Sequence, residues 1–265
     1  MSTAGGPSVA ILVAPGTNRE GETARAVELA GGRPAMVEVP ELVAGGATLG
    51  SHDVVIVPGG FSYGDALGAG SVLSLGLTDV LAGWAATGKP LMGICNGFQV
   101  LVKAGLLPGP PDATRRVTLT DNERGRFECR WVHLQVVPGG AVDLLDGVDE
   151  LVACPIAHGE GRVAVAADGG ATTSDAAGIT DTVARLEADG CVALRYVDAD
   201  GSAAGGAYPI NPNGSVADIA GLRSPAGNVV GFMPHPEDHV HEVQDPFGRP
   251  GRLGLSVFRS VVAHG

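Results

Sequence analysis

The chain has 265 residues, which is enough for one large domain with a full hydrophobic core or for two small ones. Apolar residues make up 45% of it, but no run of about 18 uninterrupted apolar residues occurs, so no membrane span is expected. The net charge of −12 and the lack of a Lys/Arg run argue against nucleic-acid binding, which depends on neutralising phosphates. The first seven residues lack the basic and apolar regions of a secretion signal, so we expect a cytoplasmic protein.

The first half of the chain alternates short apolar strands with helices. Strands are predicted at 8–13, 35–39, 52–57 and 90–94, and helices at about 17–30, 71–86 and 96–107. Thr17 or Asn18 is the expected cap of the first helix. This alternation predicts an α/β fold with a mainly parallel central sheet flanked by helices. In such a sheet the active site lies at the carboxyl ends of the strands.

The second half is less regular. Strands are predicted at 127–137, 152–165, 191–197 and 229–233, and a closing helix at 253–262. Segments 138–150, 167–180 and 198–212 are rich in Gly, Ala and Asp and are interpreted as surface loops. Because we find neither an internal repeat nor a linker, we expect a single domain over 1–265.

Cys95 is the candidate nucleophile. It lies in Gly93-Ile-Cys-Asn-Gly97, between a predicted strand and a predicted helix, which is the cysteine form of a nucleophile elbow. The turn is so sharp that the residues two before and two after the nucleophile must lack side chains. The N-terminus of the next helix stabilises a thiolate. The alternative is an inert buried cysteine, the usual state of a free Cys, and we interpret Cys129, Cys154 and Cys191 in that way, as core or strand residues. No CxxC pair indicates a zinc or thioredoxin-type site.

His235 and Glu237 are the candidate base and its orienting carboxylate. Prolines flank His235 and disfavour a helix, and residues i and i+2 of an extended chain project to the same side. Glu237 is therefore expected to hold one imidazole nitrogen while the other faces the thiol. A metal site made with His239, His241 and Asp238 is the alternative, but the tract lacks HExxH order. We interpret His239 and His241 as part of a solvated loop.

A glycine-rich loop, Pro58-Gly-Gly-Phe-Ser-Tyr-Gly-Asp65, follows the third predicted strand. Paired glycines leave backbone N–H groups exposed, so this loop and the N–H of Asn96 are candidates for an oxyanion hole. The alternatives are a flexible turn or a phosphate loop. No Gly-Lys-Ser/Thr sequence occurs anywhere in the chain, so no ATP-binding loop is indicated. His158-Gly-Glu-Gly161 taken alone is an ordinary turn.

These motifs together resemble the class I glutamine amidotransferases, which have a flavodoxin-like fold. More closely, the chain is similar to the glutaminase subunits of phosphoribosylformylglycinamidine synthase, an enzyme of purine biosynthesis. The resemblance extends over most of the chain, through the following motifs: Pro58-Gly-Gly-Phe-Ser-Tyr-Gly-Asp65, Gly93-Ile-Cys-Asn-Gly-Phe-Gln-Val-Leu101, Ala104-Gly-Leu-Leu-Pro108, Asn122, Arg126-Phe-Glu-Cys-Arg-Trp131, Pro155-Ile-Ala-His-Gly-Glu-Gly161, Pro212-Asn-Gly-Ser215, Asp218-Ile-Ala-Gly221 and Met233-Pro-His-Pro-Glu237.

The resemblance implies a reaction and a set of site residues. Cys95 would attack the carboxamide of glutamine, with His235 as acid and base and Glu237 as its orienter. The substrate-binding residues implied are Gly59, Gly60, Phe61, Asn96 and Gln99, of which Gly60 and Asn96 match the oxyanion positions and Gln99 helps to seat glutamine. No metal and no cofactor are expected on this chain.

The resemblance also implies partners. Ammonia would pass to a large synthetase subunit, which would bind ATP and Mg²⁺ and amidate formylglycinamide ribonucleotide, with a small accessory subunit in the same complex. The alternatives are a subunit serving another synthetase, a non-catalytic regulatory homologue, and a cysteine hydrolase or chaperone of the same fold.

The chain also departs from the family pattern. Ala66 and Gly68 stand where the family usually has an aromatic residue and an arginine, and Arg19 replaces a cysteine. Extra Gly/Ala-rich loops are expected between about 138 and 210. These departures affect the expected partner contacts and leave the three candidate catalytic residues untouched.

Overall fold

The computed structural model describes most of the chain. Its described residues are 5–61, 71–109, 117–149, 151–165 and 176–265, with the backbone alone for Ser71 and Val72. Three subjects of sequence prediction lie outside them: residues 62–65 of the glycine-rich loop, the departures at Ala66 and Gly68, and residues 167–175 of a predicted surface loop.

The described strands are short and mostly apolar. In chain order they are β1 (Ser8–Val13), β2 (Arg33–Glu38), β3 (Val54–Val57), β4 (Leu91–Ile94), β5 (Val117–Thr120), β6 (Glu128–Val136), β7 (Leu151–His158), β8 (Arg162–Val165), β9 (Val192–Val197), β10 (Ile219–Arg223) and β11 (Val229–Phe232). The described helices are α1 (Glu20–Leu29), α2 (Val39–Val43), α3 (Ser71–Ala86), α4 (Asn96–Lys103), α5 (Ala176–Ala188) and α6 (Leu255–Ala263).

Within the described residues, nine strands form one sheet in the order β2-β1-β3-β4-β11-β10-β9-β6-β7. The strands from β2 to β11 pair in parallel, and those from β11 to β7 pair antiparallel. Every residue of β3 and β4 is buried, as expected where helices cover both faces of a parallel sheet. The remaining described strands, β5 and β8, form a separate antiparallel pair.

The order of the strands positions the site. Because β3, β4 and β11 are parallel neighbours, the chain leaves their carboxyl ends at the same edge of the sheet. Gly59 follows β3, Cys95 follows β4 and His235 follows β11. Strand β7 lies at the far end of the sheet order, yet its Pro155 carbonyl accepts a hydrogen bond from the His235 N–H at 2.8 Å. The antiparallel half of the sheet therefore also borders the site.

The predicted α/β architecture and the bounds of β1 and α3 are confirmed. Other predicted bounds shift by one to four residues. Helix α4 ends at Lys103, because Gly105 adopts φ 77° and breaks the helix before Leu107. Neither Thr17 nor Asn18 caps α1, since Arg19 occupies that position and makes no side-chain capping bond.

Two predictions in the second half are wrong. The single strand at 152–165 is two strands, β7 and β8, separated by the turn at Gly159-Glu160-Gly161. The described end of the predicted loop 167–180 is helical, because α5 begins at Ala176 and packs Thr182 and Leu186 inward. Strands β5 and β10 were not predicted at all. Among the described helices, none is long and apolar enough to cross a membrane.

Candidate active site

Cys95 lies in a strained turn between β4 and α4. Its φ of 51° and ψ of −106° are rare for a residue with a side chain and cost about 1–3 kcal/mol. A Cβ on Gly97 would lie 1.9 Å from the carbonyl oxygen of Val57, and one on Gly93 would lie 2.7 Å from the Gly97 backbone. The predicted need for glycine at both positions is therefore confirmed: side chains there would collide with backbone, which cannot move aside.

The environments of the four cysteines differ. Cys95 is 7% exposed and lies at the N-terminus of α4, whereas Cys154 and Cys191 are fully buried and Cys129 is an exposed residue of β6. Burial, together with the carboxylates of Glu237 and Asp238, raises the pKa of the Cys154 thiol well above its usual range. Cys154 is therefore an un-ionised thiol in the core, whereas Cys95 borders a cavity.

His235 and Glu237 form a buried pair. Nδ1 of His235 lies 2.7 Å from Oε1 of Glu237, and the side chains are 4% and 0% exposed. Burial opposes a charge on the imidazole, but the Glu237 carboxylate and the Cys95 thiol outweigh it and raise the pKa of His235 well above its usual value. The extended backbone that we expected here is wrong, since Pro236–Asp238 is a single 3-10 turn. That turn still brings the carboxylate to the ring.

The metal alternative finds no support among the described residues, where no group of three or more His, Cys, Asp and Glu could hold an ion. The prediction that His239 belongs to a solvated loop is wrong. His239 is 0% exposed, places Nδ1 2.5 Å from the Ala153 carbonyl oxygen and packs edge-on against Trp131 at 4.9 Å between ring centroids. His241 is exposed, as predicted.

The described part of the glycine-rich loop is tied to the loop after β1. Phe61 N–H donates to the Gly16 carbonyl at 2.8 Å, and Gly60 forms an isolated bridge with Thr17. Gly60 has φ 151°, and a Cβ on it would lie 2.7 Å from the Gly16 carbonyl oxygen. A Cβ on Gly59 would lie 2.8 Å from Cε1 of His235. This close approach means that the loop packs directly on the imidazole.

Asn96 and Gln99 are buried at the start of α4. Asn96 Nδ2 donates to Gln99 Oε1 at 3.1 Å, and Gln99 Nε2 donates to the Glu160 carbonyl oxygen at 2.5 Å. Gln99 therefore links the elbow helix to the turn between β7 and β8. Both of its side-chain groups are oriented by protein atoms.

A cavity of about 400 Å³ opens beside the thiol. Five of the eight predicted site residues line it: Gly60, Phe61, Cys95, Gln99 and His235. Glu237 lies behind His235, and Gly59 and Asn96 are chain neighbours of lining residues. The structure thus brings the predicted nucleophile, base and loop together around one cavity.

Comparison with known proteins identifies the family. The model of the CobB/CobQ-like glutamine amidotransferase domain matches residues 6–263. The phosphoribosylformylglycinamidine synthase subunit PurQ of Treponema denticola is 43% identical over 255 residues, 88% of each chain, and that of Dehalococcoides mccartyi is 40% identical over 261 residues, 95% of each. The chain belongs to the PurQ family of glutamine amidotransferases.

A solved structure agrees with that assignment. A chain in the structure of PurLQS from Thermotoga maritima superimposes on this PurQ-family chain with a TM-score of 0.71 at 32% identity, covering 97% of this chain and 98% of that one. The predicted fold class and the predicted resemblance to class I glutamine amidotransferases are both confirmed.

Sequence reasoning missed part of the cavity wall of this PurQ-family protein. Ala157, His158, Gly159 and Glu160 line it, although their motif taken alone was interpreted as an ordinary turn. The signal was present in the quoted resemblance, which included the whole motif from Pro155 to Gly161. The other missed lining residues are Asn18, Arg19 and Phe127.

Arg19, one of the expected departures from the family pattern, lies among the described residues. It lines the cavity, and its guanidinium lies 3.3 Å from Glu22 and 3.7 Å from Asp238. Arg19 therefore places a positive charge at the cavity rim of this PurQ-family chain. That charge is partly offset by the two carboxylates.

Proposed function

We propose that Cys95, His235 and Glu237 hydrolyse glutamine to glutamate and ammonia. Family membership makes the chain a glutamine amidotransferase, and what supports these three residues is their geometry: a strained cysteine and a carboxylate-held imidazole bordering one cavity of about 400 Å³. The volume suits a single small substrate. The pair of nucleophile and base with an orienting third group is the arrangement that acyl transfer needs.

The reaction begins at the carboxamide. The Cys95 thiolate attacks the side-chain carbonyl carbon of glutamine, and the oxygen takes up negative charge that backbone N–H groups of Gly60 and Asn96 stabilise. The His235 imidazolium then gives its proton to the amide nitrogen, the C–N bond breaks and ammonia leaves. Glu237 keeps the ring in the orientation that this transfer requires.

Water completes the cycle. The neutral His235 takes a proton from a water molecule as that water attacks the glutamyl thioester, and the C–S bond breaks. Glutamate leaves, and the thiolate and imidazolium are restored. The raised pKa of His235 supports its role as the proton donor, because an imidazole paired with a carboxylate and a thiol keeps its proton until the transfer to the amide nitrogen.

We further propose that the ammonia passes to an ATP-dependent synthetase subunit, which converts formylglycinamide ribonucleotide to formylglycinamidine ribonucleotide in de novo purine biosynthesis. The relatives are named as subunits of phosphoribosylformylglycinamidine synthase, and the solved neighbour is titled PurLQS. ATP and Mg²⁺ would bind the partner, and a small accessory subunit would complete the complex. The lack of a Gly-Lys-Ser/Thr loop in this sequence supports that division.

Cys95→Ala in the assembled complex tests the proposal. Glutamine-dependent synthesis should be lost while synthesis from added ammonia continues, because only the first reaction needs the thiol. Cys129→Ala, at an exposed strand position, is the matched control and should retain both activities. Undiminished use of glutamine by Cys95→Ala would contradict the mechanism. A pull-down from the source cell that recovers no ATP-dependent synthetase would contradict the proposed partner.

A further inference from the structure

A second buried histidine borders the active-site cavity. His158 ends β7, is 3% exposed and lines the same cavity as Cys95 and His235. The proposed mechanism gives His158 no role, and its hydrogen-bond partners do not include the nucleophile Cys95. A buried imidazole beside a reaction centre can hold neighbouring groups in place.

The hydrogen bonds of Asn122 determine which nitrogen of His158 carries the proton. Asn122 Nδ2 donates to the carbonyl oxygens of His158 and Arg126, at 2.8 and 3.0 Å, so the other side-chain atom is the oxygen. That Oδ1 accepts the Gly161 N–H at 3.2 Å and lies 3.1 Å from His158 Nδ1. Since an amide oxygen can only accept, Nδ1 is the protonated nitrogen and Nε2 bears the lone pair.

The ring is also neutral. Burial and the nearby His235 lower the pKa of His158 to about 3, against the raising effect of Glu128. The His158 side chain is therefore uncharged near neutral pH. An acid or base role beside His235 does not fit such a group, whereas a fixed donor to Asn122 does.

The imidazole and Asn122 together fix the turn that forms the cavity wall. A Cβ on Gly161 would lie 2.3 Å from Cε1 of His158, so the ring packs closely against the backbone of that turn. Gly161 is held again by Asn213, whose Nδ2 donates to its carbonyl oxygen at 2.8 Å. His158 is thus anchored through its side chain, its own carbonyl group and its contact with Gly161.

The wall presents a carbonyl oxygen to the nucleophile. The oxygen of Ala157 lies 4.0 Å from Sγ of Cys95. It belongs to the peptide plane shared with His158, so anchoring His158 fixes its direction. A carboxamide carbon bonded to Sγ can place its nitrogen within hydrogen-bonding reach of an oxygen at this distance. The Ala157 oxygen can accept from an N–H and repels a carboxylate.

We propose that the Ala157 carbonyl accepts an N–H of the substrate's carboxamide and of the departing ammonia, and that His158 is the positioning residue that aims it. This inference rests on the proposed glutaminase function. In this proposal the Ala157 carbonyl is the reason that the enzyme prefers an amide substrate over an ester or an acid. The same acceptor disfavours the carboxylate of bound glutamate, which aids product release.

The test compares glutamine with glutamate γ-methyl ester, whose leaving group has no N–H to donate. The full chain is assayed with its synthetase partner, and kcat/KM is measured for both substrates. His158→Leu removes the donor to Asn122, so the ratio of kcat/KM for glutamine to that for the ester should fall about five- to tenfold, the value of one hydrogen bond. An equal loss on both substrates indicates a merely structural role and overturns the proposal.

Three further variants sharpen the result. His158→Asn keeps an amide N–H near the place of Nδ1 and should restore the ratio to within about twofold of the wild type. His158→Gln places its amide near the position of Nε2. If this variant restored the ratio and His158→Asn did not, the assignment of the proton to Nδ1 would be overturned. His133→Gln is the matched control, because His133 also has a buried Nε2 with no partner among the described atoms and is not among the residues lining this cavity. It should leave the ratio unchanged.

A measurement on the wild type keeps the inference testable if the variants do not fold. The ¹⁵N shifts of the His158 ring should show a protonated Nδ1 and a bare Nε2 from pH 5 to pH 8. A proton on Nε2, or a ring that titrates in this range, overturns the proposal. Wild-type protein that fails to hydrolyse glutamine at all would contradict the proposed function, a result distinct from an unchanged substrate ratio.

Discussion

The Glu237 carboxylate lies 2.7 Å from the Nδ1 of His235, and both side chains are almost entirely buried. The carboxylate both orients the ring and keeps its proton in place. Because a buried imidazolium without a counter-charge is costly, the Glu237 side chain is the main reason that the pKa of His235 is raised. The orientation and the charge of the proposed base therefore depend on one neighbour.

Glu237→Gln should lower kcat for glutamine by about 10²- to 10⁴-fold with a smaller effect on KM. The amide keeps the shape but loses the charge, so the pKa of His235 falls and the alkaline limb of the pH–rate profile moves to lower pH. Steady-state kinetics from pH 5 to pH 9 measure both effects. Asp238→Asn, the same change one residue along, is the control and should alter kcat less than threefold. A Glu237→Gln profile with an unmoved alkaline limb would refute this reading.

Gly59→Ala should reduce glutamine turnover by about 10²-fold with little change in stability. The added Cβ would lie 2.8 Å from Cε1 of His235, so the imidazole must turn away from its position beside Cys95. Activity and the thermal midpoint are measured together. Gly21→Ala, where a Cβ meets nothing within 4 Å, is the control. Retention of full activity by Gly59→Ala would show that the ring tolerates displacement.

Gly97→Ala should destabilise the fold by about 1–3 kcal/mol, in addition to abolishing activity. Its Cβ would lie 1.9 Å from the Val57 carbonyl oxygen, and β3 cannot move because all of its residues are buried. Urea denaturation of both forms gives the difference. In Gly83→Ala the same substitution is made inside α3, where a Cβ meets nothing within 4 Å. That control should be unchanged or more stable by about 0.5–1 kcal/mol.

The pH dependence of stability should show the neutral state of His158. Its pKa is about 3 in the folded chain against an ordinary 6.5, so between these values the unfolded chain binds a proton that the folded chain does not. This residue therefore contributes a loss of stability as pH falls below 6.5, at about 1.4 kcal/mol per pH unit.

His158→Asn cannot titrate there, so the stability gap between wild type and variant should shrink from pH 7 to pH 4.5. Urea titrations at the two pH values measure it. A gap for His158→Asn that stays constant between the two pH values would show that His158 takes up a proton as readily in the folded chain as in the unfolded chain.

The elbow and the contact between His235 and Glu237 were predictable because their constraints are local. Gly93, Cys95 and Gly97 lie within five positions, so the steric demand of the turn appears directly in their spacing. His235 and Glu237 are two residues apart, and their contact holds although the backbone between them is a 3-10 turn and not the extended chain that we expected. Because the residues of each motif are close in sequence, the rest of the fold has little influence on whether they meet.

The cavity wall depended on contacts between distant segments. His158 meets Asn122 across 36 residues, Gly161 meets Asn213 across 52, and Cys95 approaches Ala157 across 62. No periodicity in the sequence reports such pairings, because they arise only when the antiparallel strands β6, β7 and β9 assemble beside the parallel half. The sequence by itself was enough to predict the elbow at Cys95, the contact between His235 and Glu237 and the α/β class, through short-range sterics and apolar patterning. Tertiary structure alone decided which turn faces the thiol, because burial and hydrogen bonding between remote segments set its position.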